Sequence, residues 1–243
     1  MSRSSILTLL LASLCSTALA QSEQPADQSA DQVQTVEVKG ARERLVPYKE
    51  SYELARKVRD ASSGRVAFGL RLVPAKPDVR LDDIRLWLGE DGDAAPVAVR
   101  EGGLFVVPIN DKVAASGGHY SINRKKGDLN VRVAIMPNVP KDTWTIGLMQ
   151  QVANDGKAAV NKLLPWYMRA FGIGVDAVAV CGKNAGMPIQ VMNGAEVAGT
   201  VTADKKGTND IGQPVYCKHF TNAEKFDAAY KVVIPEGAEV LLM

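Results

Sequence analysis

Between residues 65 and 136, hydrophobicity repeats every second residue, and no other property of the chain limits its fold as strongly. In RVAFGLRLVP, Val66, Phe68, Leu70 and Leu72 alternate with Arg65, Ala67, Gly69 and Arg71. Successive side chains of a strand point to opposite faces, so such a segment offers one whole face to a core. DIRLWLG repeats the pattern, with Ile84, Leu86 and Leu88 set against Arg85 and Trp87. DLNVRVAIMP repeats it again through Leu129, Val131, Val133 and Ile135. Between them stand PVAV and GLFVVPIN, bounded by the turn clusters GEDGD, EGG and ASGG. Short alternating strands at hairpin spacing predict an antiparallel, sandwich-like β unit over 65–137, of six or seven strands.

Within that unit, LWLGEDGDAAPVAVREGGLFVVP resembles the small prealbumin-like sandwiches of exported bacterial proteins. The resemblance implies a hairpin and its return strand, in a prealbumin- or Ig-like arrangement.

The period changes on either side. In PYKESYELARKVRDASSG, Tyr48, Tyr52, Ala55 and Val58 recur at helical spacing, with Pro47 at the start and Gly64 as the stop. That predicts an amphipathic helix over 48–61, its tyrosines packed on a sheet. A second helix is expected over 157–171, kinked or restarted at Pro165, with the aromatic residues of LPWYM in the core. The remainder returns to strands: 175–182, 188–192, 197–203, 214–220, 229–235 and 239–243. Asn193-Gly194 marks a hairpin, and DKKGTNDIGQ reads as a polar, mobile loop. The expected class is therefore α+β and strand-rich: a β-sandwich-like unit, then a helix, then a second antiparallel β unit within 138–243.

The start of the chain reads as an export signal. Arg3 precedes an apolar run from Ile6 to Leu14, and Ala18-Leu19-Ala20 is a small-x-small cleavage site, which predicts a signal peptide over 1–20 cut after Ala20. Leu14 is too large for the position before a lipidated Cys15. Residues 21–33, QSEQPADQSADQV, hold too little apolar surface to offset their ordering entropy and read as a disordered tether. Residues 34–64 then combine a strand-like peptide with the first helix. The expected location is the periplasm, or alternatively the medium, with no transmembrane segment in the mature chain.

Cleavage leaves 223 residues (243 less 20) and a net charge of about +1, since Arg3 departs from a balance of 29 basic and 27 acidic residues. Nothing there supports a nucleic-acid partner. Two cysteines remain, Cys181 and Cys217. An even pair in an oxidising compartment points to a disulfide, worth roughly 4 kcal/mol by chain entropy for a loop of this length. The competing reading is a metal site that also uses His219, but the short ligand spacing of zinc signatures is missing.

Catalytic motifs are absent from the sequence. There is no G-x-S-x-G elbow, H-E-x-x-H, P-loop or G-x-G-x-x-G, and GEDGD has turn composition rather than a full calcium loop. No cofactor or metal is implied. The one candidate ligand site read from the residues is His119, Tyr120 and Arg124, beside the flexible Gly117-Gly118 pair.

One peptide stands apart. In QTVEVKGARE, a polar lead, a Thr-Val-x-Val strand and then Gly and Arg, the segment Thr35, Val36, Glu37, Val38, Lys39 and Gly40 is similar to the TonB box of TonB-dependent receptors. That resemblance implies binding to an envelope protein by β-strand addition, in which backbone hydrogen bonds carry the affinity. The body departs from that family, whose members carry a plug and a barrel of about 22 strands. A displayed peptide and an edge strand of the body are both compatible with residues 34–39. The sequence thus leads to an exported, non-enzymatic binding or adaptor module of the cell envelope. The alternative is a secreted small-ligand binder or hydrolase with an unrecognised site.

Overall fold

A computed structural model describes residues 42–90, 92–125, 127–165, 174–209 and 211–243. The expected signal peptide, the tether, the peptide from Thr35 to Gly40, and the Trp166–Phe171 part of the second helix lie outside the described residues. The protein is strand-rich α+β, with fourteen strands in four antiparallel sheets among the described residues.

The alternating segments form two of these sheets. Strand β2 (Val66–Pro74) pairs along its whole length with β7 (Leu129–Pro137), and over Gly69–Arg71 with β5 (Leu104–Val106). The second sheet runs β1 (Glu43–Pro47), β6 (His119–Ile122), β3 (Leu86–Gly89), β4 (Ala95–Val97). Six strands therefore fall between 66 and 137. The alternation understates the burial of β2, which is covered on both faces from Val66 to Leu72. Even Arg71 is buried, its Nη1 donating to the Gly102 carbonyl at 2.9 Å.

Helix α1 (Tyr48–Ala61) occupies the expected range and buries Tyr48, Tyr52, Ala55 and Val58. It stops where the Ser62 hydroxyl donates to the Val58 carbonyl (2.8 Å) and accepts from the Val66 amide (3.2 Å). The chain then turns through left-handed Ser63 and Gly64, the latter tolerant because it lacks a Cβ. The aromatic side of the core sits under this helix. Tyr120 packs edge-on to Tyr48 (5.7 Å between centroids) and to Phe105 (5.3 Å), and all three rings are fully buried.

Four elements differ from expectation. The segment before Pro47 is strand β1, held by pairing to β6 rather than by any apolar repeat of its own. A short helix, α2 (Asp111–Ala115), follows the strand read in GLFVVPIN. The Asn110 side chain caps it by accepting from the amides of Lys112 and Val113. Helix α3 covers Ile146–Leu163, so it starts eleven residues earlier than expected and ends two residues before Pro165. Thr145 caps it by accepting from the Leu148 amide (3.1 Å), and the amides of Ile146 and Gly147 bond the carbonyls of Tyr230 and Ala228. Finally, Lys205–Thr208 in the supposed mobile loop is a strand, β11. Backbone pairing needs no apolar side chain, and an exposed lysine-bearing edge strand discourages pairing with other molecules.

Strand β8 (Val178–Gly182) lies between β12 (Pro214–Phe220) and β14 (Glu239–Leu242), with β11 beyond β12. The last sheet runs β10 (Glu196–Ala203), β9 (Met187–Asn193), β13 (Lys231–Val233). The Asn-Gly signal holds: β9 and β10 turn through Gly194 and Ala195. Gly194 is at φ +60° and Ala195 has no positive φ, the pattern of a type II′ turn. One hydrophobic cluster runs from Tyr48 and Phe68 through Trp144 and Met149 to Val180 and Val232. On its other face, β8 contributes Ala179 and Cys181 to a small second cluster with Val215 and Cys217.

Candidate functional site

The two cysteines meet across β8 and β12, directly opposite in register, with Cα atoms 4.1 Å apart and a disulfide between them. Their sulfurs are committed to each other, so the competing metal reading loses its thiolate ligands. His219, two residues on, faces Lys205 instead, with Nδ1 and Nζ 3.5 Å apart. Burial first, then the charges of Lys205 and Lys218, holds its imidazole below the usual range. No group of three or more His, Cys, Asp or Glu able to hold a metal occurs among the described residues.

His119, Tyr120 and Arg124 do not converge. His119 opens β6, half-buried, paired in register with Pro47 and Gly89. Tyr120, next along the strand, turns to the opposite face and is enclosed by Tyr48 and Phe105. Burial pushes its hydroxyl well above the usual phenol range, against a smaller opposing influence of the Ser51 hydroxyl. Arg124 lies beyond the strand and is ion-paired to Asp83.

A broader concavity lies elsewhere. A groove of about 780 Å³ runs between the 79–87 segment and residues 96–102. Ile84 and Leu86 belong to the core beneath it, and Trp87 on β3 lies half-buried in its wall, opposite Pro96 in the β3–β4 register. The β4 side bends away through Glu101–Gly103, where Gly102 (φ +73°) and Gly103 (φ +76°) make the turn. Two consecutive left-handed residues explain the pair of glycines there.

Arginines dominate the groove's charge. Arg80 grips Asp82 in a two-pronged pair, Nε to Oδ1 at 3.1 Å and Nη2 to Oδ2 at 2.5 Å. That pairing holds the Asp82 carboxyl below the usual carboxylate range. The exposed side chains of Arg85 and Arg100 make no ion pair or hydrogen bond among the described residues. At the Trp87 end, the Arg42 guanidinium stacks 4.2 Å from the ring centroid. Glu101 is the other carboxylate of the lining. Planar guanidinium forks match carboxylate and phosphate oxygens two at a time, and an indole face adds apolar area. Such a surface is chemically able to hold an acidic group. It places no nucleophile beside a base.

The sequence reading missed this site, although one signal for it was present. In DIRLWLG the residues off the apolar face are Arg85 and Trp87, which the alternation puts side by side on the far face of β3. Arg100 comes from a separate turn and carries no local mark. No family model, curated protein or solved structure matches the chain, so its function rests on this geometry.

Proposed function

We propose that the chain is an exported, non-enzymatic binding module whose ligand lies in the groove beside Trp87 and carries carboxylate groups. The observation that carries this reading is the pair of guanidinium groups, Arg85 and Arg100, that have no partner among the described residues and line the groove of about 780 Å³. Location in the periplasm, after cleavage behind Ala20, draws support from the signal-like leader and from the disulfide, a bond suited to oxidising compartments. On this reading the strands of 65–137 form the sandwich-like unit that presents the groove, and the helix and disulfide-linked strands of 138–243 back it. Both contribute to one buried cluster.

The test is a thermal-shift series with acidic and matched neutral ligands, such as glucuronate against glucose and Asp-containing against Asn-containing peptides. A saturable rise in melting temperature with acidic members, lost in Arg85→Gln, is the expected result. Equal response to the neutral counterparts overturns the proposal.

A second reading makes the segment from Thr35 to Gly40 a partner-binding peptide. It is favoured by the identity of the edge strand. Glu43–Pro47 already fills the place beside β6, so Val36 and Val38 are not needed there. Envelope extract passed over the mature protein and over a form lacking residues 21–40 separates the cases. A specific partner lost with the deletion supports the peptide, and identical catches exclude it.

A further inference from the structure

We infer that Asn193, at the tip of the β9–β10 hairpin, is a modification site: the chain attacks its own side-chain amide there and leaves aspartate and isoaspartate in its place. The site uses no residue of the groove beside Trp87 and does not rest on the reading of that groove.

Three observations converge. The first is the neighbour. Gly194 follows Asn193 and has no side chain to crowd its own nitrogen. The space around it is open, since a Cβ placed there would meet nothing within 4 Å. The second is the freedom of the two reacting groups. Asn193 is exposed, and its side-chain amide has no hydrogen bond among the described residues. The Gly194 amide likewise donates to no carbonyl among them. The third is the contrast with other asparagines. Asn110 caps α2, Asn123 accepts from the Arg85 amide and donates to the Asp83 carbonyl, and Asn138 donates to the Gly64 carbonyl. Asn209 is buried and accepts from the amides of Ile211 and Gln213. Asn184 is the best comparison: it is exposed like Asn193 but is followed by Ala185.

The Gly194 nitrogen attacks Cγ of Asn193. A bond forms between them, the bond from Cγ to Nδ2 breaks, and the proton of the attacking nitrogen leaves with Nδ2 as ammonia, which closes a succinimide ring. Water then opens the ring. Cleavage at Cγ leaves aspartate, and cleavage at the main-chain carbonyl leaves isoaspartate, with the chain routed through the former side chain. Neither step changes an oxidation state, and solvent water is the co-reactant. Both products disturb the hairpin tip. Asn193 is the direct ladder partner of Glu196, so a new carboxylate there faces another across the strands, where like charges repel. The isoaspartyl form also lengthens the backbone at the Gly194-Ala195 turn, whose fit sets the register of β9 and β10.

The experiment incubates the folded mature protein below its melting temperature, at mildly acidic and at mildly alkaline pH. Peptide mapping by mass spectrometry then follows every asparagine, with chromatographic separation of aspartyl from isoaspartyl peptides. The expected result is the mass gain of an amide-to-acid exchange at Asn193, severalfold faster than at Asn184, with isoaspartate among the products. It runs faster at the higher pH, because the attacking nitrogen must lose its proton. Asn193→Gln, whose longer side chain has to close a larger ring, loses the conversion. Conversion at Asn193 no faster than at Asn184, or conversion seen only in urea-unfolded protein, overturns the site.

Discussion

Cys217 stands directly opposite Cys181 in the β12–β8 register, and the bond between them ties a central strand to the strand that carries the exposed β11 edge. Both sulfurs are buried in the small cluster with Ala179 and Val215. The loop closed has a sequence separation of 36. Replacing both cysteines by alanine is expected to cost about 4 kcal/mol, which lowers the melting temperature of a chain this size by roughly 8–16 °C. Thermal melts of the double variant, and of the native protein with and without reductant, check this. Coincident melts would show that the bond adds nothing.

Two buried tyrosines should respond oppositely to loss of their hydroxyls. The Tyr48 hydroxyl donates to the Pro108 carbonyl (2.6 Å) and accepts from the Asn110 amide (2.9 Å), joining α1 to the turn before α2. Tyr48→Phe strands both backbone groups and is expected to destabilise by about 1–2 kcal/mol. The Tyr120 hydroxyl is buried without a hydrogen-bond partner among the described residues. Tyr120→Phe should therefore be neutral within about 0.5 kcal/mol, or stabilising. Denaturant midpoints of the two variants decide it, and a larger loss for Tyr120→Phe contradicts the assignment.

Gly103 is intolerant for two separate reasons. Its φ is +76°, and a Cβ there would collide with the Leu72 carbonyl of β2. Gly103→Ala is expected to cost more than about 2 kcal/mol and to disturb the adjoining groove. Gly212 also has positive φ (+80°) but opens onto free space, so Gly212→Ala measures the backbone share alone. Equal losses at the two positions would remove the steric half of the explanation.

Acidification should weaken the fold through His219. Its folded pKa lies below the ordinary value of 6.5, so the unfolded chain takes up a proton that the folded one resists. The corresponding stability is fully present above pH 6.5 and is lost as pH falls through 6.5 toward the lower folded value. His219→Gln should flatten the decline in melting temperature between about pH 7 and 5.5, a range above most carboxylate titration. Parallel pH profiles for the two proteins would rule out this group.

The parts of the fold that were legible in the sequence are those where a side-chain pattern and a backbone element share one cause. Helix α1 buries the very face that the spacing of Tyr48, Tyr52, Ala55 and Val58 displays. Strands β9, β10, β12 and β14 follow the expected apolar segments closely. The first half of α3, which was not expected as helix, carries Gly147 and Gly156, residues of low helix propensity. Both positions are close contacts: a Cβ on Gly156 would lie 3.1 Å from Leu242 and from Val175, and one on Gly147 3.0 Å from the Ala228 carbonyl. Strand β11 was hidden because pairing with β12 alone makes it a strand. The groove was hidden for a topological reason, since Arg85 and Arg100 lie in segments that each read as strand flank or turn. Of the candidate trio, His119 and Tyr120 were adjacent in sequence but pointed apart, as strand neighbours must.

The pairings of β1 and α1 also set the pace of folding. Glu43 meets Ile122, α1 packs on α3, and β8 is bordered on one side by β14. Each contact joins distant stretches of chain, so loop closure must be completed before burial repays it, and such topologies fold in milliseconds to seconds rather than microseconds. Until Glu239–Leu242 docks, Val178–Gly182, buried along its whole length in the finished protein, presents an open apolar edge. During that interval the chain is exposed to association with other unfinished chains.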